Sequence, residues 1–288
     1  MPAPIVKSFL HDATHSFTHV IHDTDSGRAA IIDPVLDYSA AAGRTGHASI
    51  DAVIQYVRDT GLNLDWIIET HVHADHLSAS PYVQAQLGGR IGIGEGIDKV
   101  QTSFGTLFNV APEFATDGSQ FDHLFADGEI YQLGGIEAKV MHTPGHTPAC
   151  ASHLIGNALF VGDTIFMPDY GTARCDFPGG DARTLYRSIR RLFELPDETR
   201  VFLCHDYLSE GRGELQCQTT IGDERRTNIH VRDGIGEDEF VQMREARDKT
   251  LAVPKLLLPA VQVNMRAGHL PPPEDNGTRY LKIPLNRL

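Results

Sequence analysis

Four cysteines, Cys150, Cys175, Cys204 and Cys217, are spread over 288 residues with no C-x-x-C pair among them. That scarcity points away from a disulfide framework and towards free thiols in a reducing compartment. No lysine- or arginine-rich tract occurs, and 38 acidic against 25 basic residues leave a formal net charge of −13. Nucleic acid and anionic membrane surfaces are therefore poor partners, although a few arginines can still line a local anion site. No apolar stretch reaches the ~20 residues of a membrane helix, and Met1–Lys7 contains no apolar core of signal-peptide length. The expectation is a soluble, cytoplasmic protein. Internal repeats are absent to the eye. Gly92, Gly94 and Gly96 alternate, but the dinucleotide fingerprint needs another spacing and a following helix, so they read as strand and turn glycines.

Histidine is plentiful and unevenly placed. Residues Thr70–His76 read T-H-V-H-A-D-H, directly after the apolar run Asp65–Glu69, which has the character of a buried strand. His71, His73, Asp75 and His76 thus leave a strand end together, and imidazole and carboxylate are ligands for zinc and iron. Three further polar residues follow short apolar runs. His146 stands in T-P-G-H-T, Asp163 comes after Ala158–Val161, and His205 after Val201–Cys204. Strand ends along one sheet edge can bring such distant residues to one metal site. His15, His19 and His22 are better explained by strand alternation and a turn.

Elsewhere the pattern is one of short strands interleaved with amphipathic helices. Phe17–His22 and Ala29–Ile32 predict a hairpin turning at Asp25-Ser26-Gly27. Leu36–Ser49 reads as a loop. Ile50, Val53, Ile54 and Val57 have helical spacing, with Gly61 as the stop. Ser80-Pro81 opens a helix to Leu87, and Gln101–Phe125 predicts helix and loop near a cleft mouth. Ile130–Leu133 and Ile136–Met141 predict paired strands, and Asp181 caps a helix carrying Leu185, Ile189, Leu192 and Phe193. Glu237–Thr250 predicts a charged, solvated helix, and the chain from about residue 252, with prolines at 271–273, an extended tail. A single domain over 1–288 is expected, built as two sheets with helices outside.

The ordered set H-x-H-x-D-H, His, Asp, His resembles the metallo-β-lactamase superfamily. The resemblance implies an α/β fold, an αββα sandwich of two mixed sheets flanked by helices, and places Asp33 of Ile32-Asp33-Pro34 behind the metal loop. Gly171–Phe177, Cys204-His205-Asp206-Tyr207 and Asn264-Met265-Arg266-Ala267-Gly268 are similar to segments of the persulfide dioxygenases, the ethylmalonic-encephalopathy protein family. The segments 36–49 and 101–125 are extra relative to its shorter members, and Cys204 stands where alanine is common. Carried over by position, the resemblance implies one iron(II) per chain held by His71, His146 and Asp163, a facial triad leaving open positions. Zinc or manganese can take its place. His73, Asp75, His76 and His205 become orienting neighbours, and Arg174, Tyr207 and Arg266 candidate contacts for glutathione. For each arginine a structural ion pair is the alternative, Arg174 with Asp176 foremost. The implied reaction consumes glutathione persulfide and O₂ and yields sulfite and glutathione; a homodimer is compatible with the chain. A glyoxalase II-like hydrolase, using all seven residues for two metals, and a non-catalytic metal-binding or redox-sensing protein are the other readings.

Overall fold

The computed structural model describes residues 3–110, 112–209 and 211–287. In chain order the first half runs β1 (Ile5–His11), β2 (Ser16–His22), β3 (Arg28–Ile32), β4 (Val35–Ser39), β5 (Arg44–Gly46), α1 (Ala48–Asp59), β6 (Asn63–Ile68), β7 (Leu77–Ser78), α2 (Ser80–Leu87), β8 (Arg90–Gly94), α3 (Ile97–Phe108) and β9 (His123–Phe125). The second half runs β10 (Ile130–Leu133), β11 (Ile136–His142), β12 (Ala151–Ile155), β13 (Ala158–Phe160), α4 (Ala182–Leu192), β14 (Arg200–Phe202), β15 (Gln218–Thr220), α5 (Ile221–Thr227), α6 (Glu237–Asp248) and α7 (Leu257–Asn264).

Two six-stranded sheets result, ordered β1-β2-β3-β6-β8-β9 and β10-β11-β12-β13-β14-β15. Both are mixed: β3, β6, β8 and β9 run parallel in the first, and β13 with β14 in the second. Strand alternation distributes the apolar residues over three layers. Ile32, Ile68 and Phe125 face Val140, Phe160 and Phe202 between the sheets. Their neighbours Ile31, Ile67 and Ile93 face outward onto Val57, Val83, Phe104 and Val261 of the helices. On the far side Leu159, Val201 and Leu203 pack on Leu185, Ile189 and Phe240. The period-2 strands and period-4 helices of the sequence thus give the αββα sandwich.

The expected hairpin forms, His22 pairing with Ala29. Ser26 Oγ donates to Asp23 Oδ2 at 2.6 Å in its turn. Asp181 caps α4, accepting from Thr184 N at 2.7 Å. Four expectations need correction. Residues 36–49 are not simply a loop: β4 pairs with β5 and, through Val35 and Leu36, with β7, which makes a small three-stranded sheet. Residues 101–125 do not reach the cleft mouth. Phe104 and Phe108 of α3 bury against the first sheet's outer layer with α7, and Ala111 lies outside the described residues. The chain beyond 252 is not simply extended, because α7 buries Ala260, Val261 and Val263 before the proline-rich stretch begins. Its apolar run is a core helix, which periodicity alone does not distinguish from a buried extended segment. Finally, α6 is not uniformly solvated. Phe240, Arg244 and Asp248 recur every fourth residue and are buried, an inward stripe disguised by its two charged members. No helix among the described residues is long and apolar enough to cross a membrane.

Candidate metal centre

The parallel pair β13 and β14 puts Phe160 beside Phe202. Three residues after each, Asp163 and His205 leave the same sheet edge. The loop after β6 delivers His71–His76 from the other sheet, and the loop after β11 delivers His146. Two glycines permit this convergence. Gly162 has φ +52, and a Cβ there would collide with Thr70 Oγ1. Gly145 has φ +138, and a Cβ there would strike the backbone of Leu185 in α4.

His71, His146 and Asp163 bring one donor atom each within 4.8 Å of the others. Asp163 Oδ2 lies 3.8 Å from His71 Nε2 and 3.7 Å from His146 Nε2. Metal–ligand bonds of about 2.0–2.2 Å place neighbouring donors roughly 3–3.6 Å apart, so the edges fit a bound ion after shifts of a few tenths of an ångström. The tautomers fit as well. His71 Nδ1 donates to Thr70 Oγ1 at 3.0 Å, because that hydroxyl gives its own proton to Asp33 Oδ2 at 2.9 Å. His146 Nδ1 donates to the Arg174 carbonyl at 2.8 Å. Each Nε2 is left as a lone pair facing Asp163. His71 Nε2 and Asp163 Oδ1 are buried without a partner, which is costly unless something binds there. Burial holds His71 well below, and His146 below, the usual histidine range, keeping both imidazoles neutral and ready to ligate.

His73, Asp75, His76 and His205 form a second cluster beside the first. His73 Nε2 donates to Asp33 Oδ1 at 3.0 Å, and its Nδ1 faces Cys204 Sγ at 4.0 Å. Burial by itself would lower His73; the Asp33 carboxylate overrides that and raises it well above the usual range. Asp75 Oδ2 accepts from Ser16 Oγ at 3.1 Å and contacts His76 Nδ1 at 3.1 Å. His205 Nε2 sits 3.3 Å from Asp75 Oδ2 and 3.4 Å from Asp163 Oδ1. His76 Nε2 and His205 Nε2 have no well-formed hydrogen bond.

A cleft of about 670 Å³ opens over His146 and Asp163, within the usual range for small-molecule sites. Tyr207 is there, its ring stacked on His205 at 5.6 Å. Arg174 also lines the cleft, but its guanidinium is spent on Asp176 (2.6 and 2.7 Å) and on the Ala252 carbonyl. Arg266 is not at the cleft. It stacks over Phe114 at 4.2 Å and lines a separate cavity beside Pro271–Pro273. The residue of that motif which does serve the site is Asn264. Its Nδ2 donates to the carbonyls of His73 (2.9 Å) and His76 (2.8 Å), and its Oδ1 accepts from Ser78 N. Sequence reasoning also missed Arg247 and Lys255, cleft-lining cations with no carboxylate in ion-pair reach among the described residues. His15 lines the cleft, whereas His19 is held between Ser8 Oγ and the Leu203 carbonyl and lowered to about 4 by burial; it is a core residue.

Residues 12–205 match the family model of the metallo-beta-lactamase superfamily. The chain belongs to that superfamily. It is 54% identical to a probable metallo-hydrolase of Burkholderia pseudomallei, over 98% of this chain and 99% of that one. It is 49% identical to glyoxylase B2 of Dictyostelium discoideum, over 93% and 92%. The mitochondrial persulfide dioxygenase ETHE1 of Bos taurus is 29% identical over 94% of this chain and 92% of its own. Among solved structures, ETHE1 from Myxococcus xanthus superposes with a TM-score of 0.73 at 31% identity, covering 92% of this chain and 100% of that one. Members of the superfamily are enzymes, and the buried histidine–aspartate cluster of this chain, together with its ETHE1 relatives, implies a metal.

Proposed function

We propose that the chain is an iron(II)-dependent persulfide dioxygenase acting on glutathione persulfide and O₂, with sulfite and glutathione as products. The observation that carries the reading is the trio His71, His146 and Asp163. Two neutral imidazoles and one carboxylate face a single point at the floor of an open cleft, each histidine locked by its other nitrogen. His71, His146 and Asp163 would hold the iron, which would supply the one-electron and O₂ chemistry that the side chains cannot. The chain's own residues do the rest. Tyr207, Tyr170 and Phe166 wall the cleft with rings, and Arg247 and Lys255 offer charge at its mouth. An acidic protein binding a doubly carboxylated tripeptide needs local cations of this kind. The dioxygenase names of ETHE1 relatives agree with this assignment.

A second reading has one specific observation in its favour. His76 Nε2, His205 Nε2 and Asp163 Oδ1 are all buried without partners, as they would be if a second metal sat between them. That arrangement suits a thioester hydrolase, in keeping with the name glyoxylase B2. One preparation tests both. Oxygen uptake by the iron-loaded protein is expected with glutathione persulfide, with sulfite formed, and little with glutathione alone. Cleavage of S-lactoylglutathione is expected to be weak or absent; rapid cleavage without persulfide-dependent uptake would overturn the dioxygenase. Arg247→Ala should raise KM roughly 3- to 10-fold with kcat little changed, since an exposed charge-assisted contact contributes on the order of 1 kcal/mol. An unchanged KM would remove Arg247 from substrate binding.

A further inference from the structure

The metal ligand His146 is held by a strap, and the strap by a buried ion pair 72 to 73 residues further along the chain. His146 Nδ1 donates to the carbonyl of Arg174. On either side of Arg174 the backbone is seized from α6. Arg244 Nη1 donates to the Thr172 carbonyl at 2.9 Å, and Asp248 Oδ2 accepts from Cys175 N at 2.8 Å. Arg244 and Asp248 are joined to each other at 2.9 and 2.6 Å through Asp248 Oδ1. Arg244 is 1% exposed and Asp248 5%; Arg244 borders the cleft, but its three guanidinium nitrogens are taken up by Asp248 and the Thr172 carbonyl. A second grip comes from His230, whose Nδ1 accepts from Thr172 N at 3.0 Å.

We infer that Arg244 and Asp248 are positioning residues for the metal centre, setting the Arg174 carbonyl so that the His146 imidazole presents Nε2 to the ion. The geometry leaves little room for another purpose. A buried pair is weak evidence for stability by itself, because desolvation offsets most of the attraction. Among the described residues, the side-chain hydrogen bonds of Arg244 and Asp248 beyond the pair go to strap backbone, and the Arg174 carbonyl of that strap accepts the hydrogen bond of His146 Nδ1. The backbone of the His146 loop is fixed independently from α4, where Asp181 N donates to the Gly145 carbonyl at 2.8 Å. One helix therefore sets the loop and another sets the ring. Partners that orient a ligating histidine typically govern metal affinity about 10–100-fold.

The inference rests on the metal-centre reading but not on which reaction follows, and its test uses neither persulfide nor O₂. Zinc and iron(II) affinities are measured by equilibrium dialysis for wild type, for the volume-conserving double variant Arg244→Met/Asp248→Leu, and for Asp248→Asn. Cooperative unfolding confirms which variants are folded. Arg183→Ala, which cuts only the surface pairs of Arg183 with Glu237 and Asp238, is the control. The expected result is a 10–100-fold loss of affinity in the folded double variant, a smaller loss in Asp248→Asn, and none in Arg183→Ala. In the zinc-loaded protein labelled with ¹⁵N-histidine, the Nδ1–H signal of His146, assigned with His146→Gln, should shift and lose protection while that of His71 stays. A folded variant with wild-type affinity and an unmoved His146 signal overturns the inference. Should the double variant fail to fold, the isosteric Asp248→Asn decides on the same two readouts.

Discussion

His146→Ala and Asp163→Ala are each expected to lose metal and activity together, leaving a folded, inert chain. Both side chains point donors at the same place as His71. With one imidazole gone, two ligands remain and the ion loses its chelating face. Asp163→Ala removes the only carboxylate of the trio. Asp75→Asn and His205→Ala belong to a different class. They should keep much of the metal and lower turnover about 10–100-fold, as partners that orient the ligands do. Metal per chain, measured on anaerobically purified protein, separates the two cases. If His205→Ala halves a complement of two metals, the dinuclear hydrolase replaces the mononuclear oxygenase.

Asp33 carries the largest expected effect on stability. It sits at the end of β3 with φ +51, a backbone region that aspartate, asparagine and glycine tolerate best. Its carboxylate accepts from Thr70 N at 2.8 Å, from Thr70 Oγ1 and from His73 Nε2, all buried. Asp33→Ala strands three donors and places alanine in a left-handed conformation. The expected loss is about 3–5 kcal/mol, the range for breaking one side of a buried charged pair. A denaturant midpoint within error of wild type would refute this. Asp33→Asn should lose less, because one acceptor oxygen remains. The pH dependence has a defined sign in metal-free protein. Burial alone would raise Asp33, but the facing His73 and the Thr70 donors hold it below its usual value, and His73 is raised in return. The Asp33 share of stability is present above about pH 3.9 and is lost as pH falls through its lower folded value. The His73 share is complete below about pH 6.5 and is lost as pH rises through its higher folded value. The gap between wild type and Asp33→Asn should therefore be widest between those limits.

What the sequence by itself determined is what chemistry and short-range periodicity encode. The dense T-H-V-H-A-D-H stretch and the three later ligand types at strand ends name a candidate ligand set, and the alternating strands and amphipathic helices specify the αββα sandwich. Metal ligands are rare residue types in fixed local patterns, and a strand's inward face repeats every second residue. What only the tertiary structure decided depends on long-range backbone contacts that carry no local signature. Arg266 and Asn264 stand two residues apart in one motif. Asn264, the last residue of α7, turns onto the carbonyls of the metal loop, whereas Arg266, in the turn after the helix, stacks on Phe114 away from the cleft. The charged run of α6 looks solvated until its turn of packing against the strap buries Arg244 and Asp248 and leaves Arg247 at the cleft mouth. Val35–Ser39 and Arg44–Gly46 become strands because they pair with each other and, at Val35 and Leu36, with the edge of β7. In each case the deciding partner lies far away in sequence, and only the folded chain brings it into hydrogen-bonding distance.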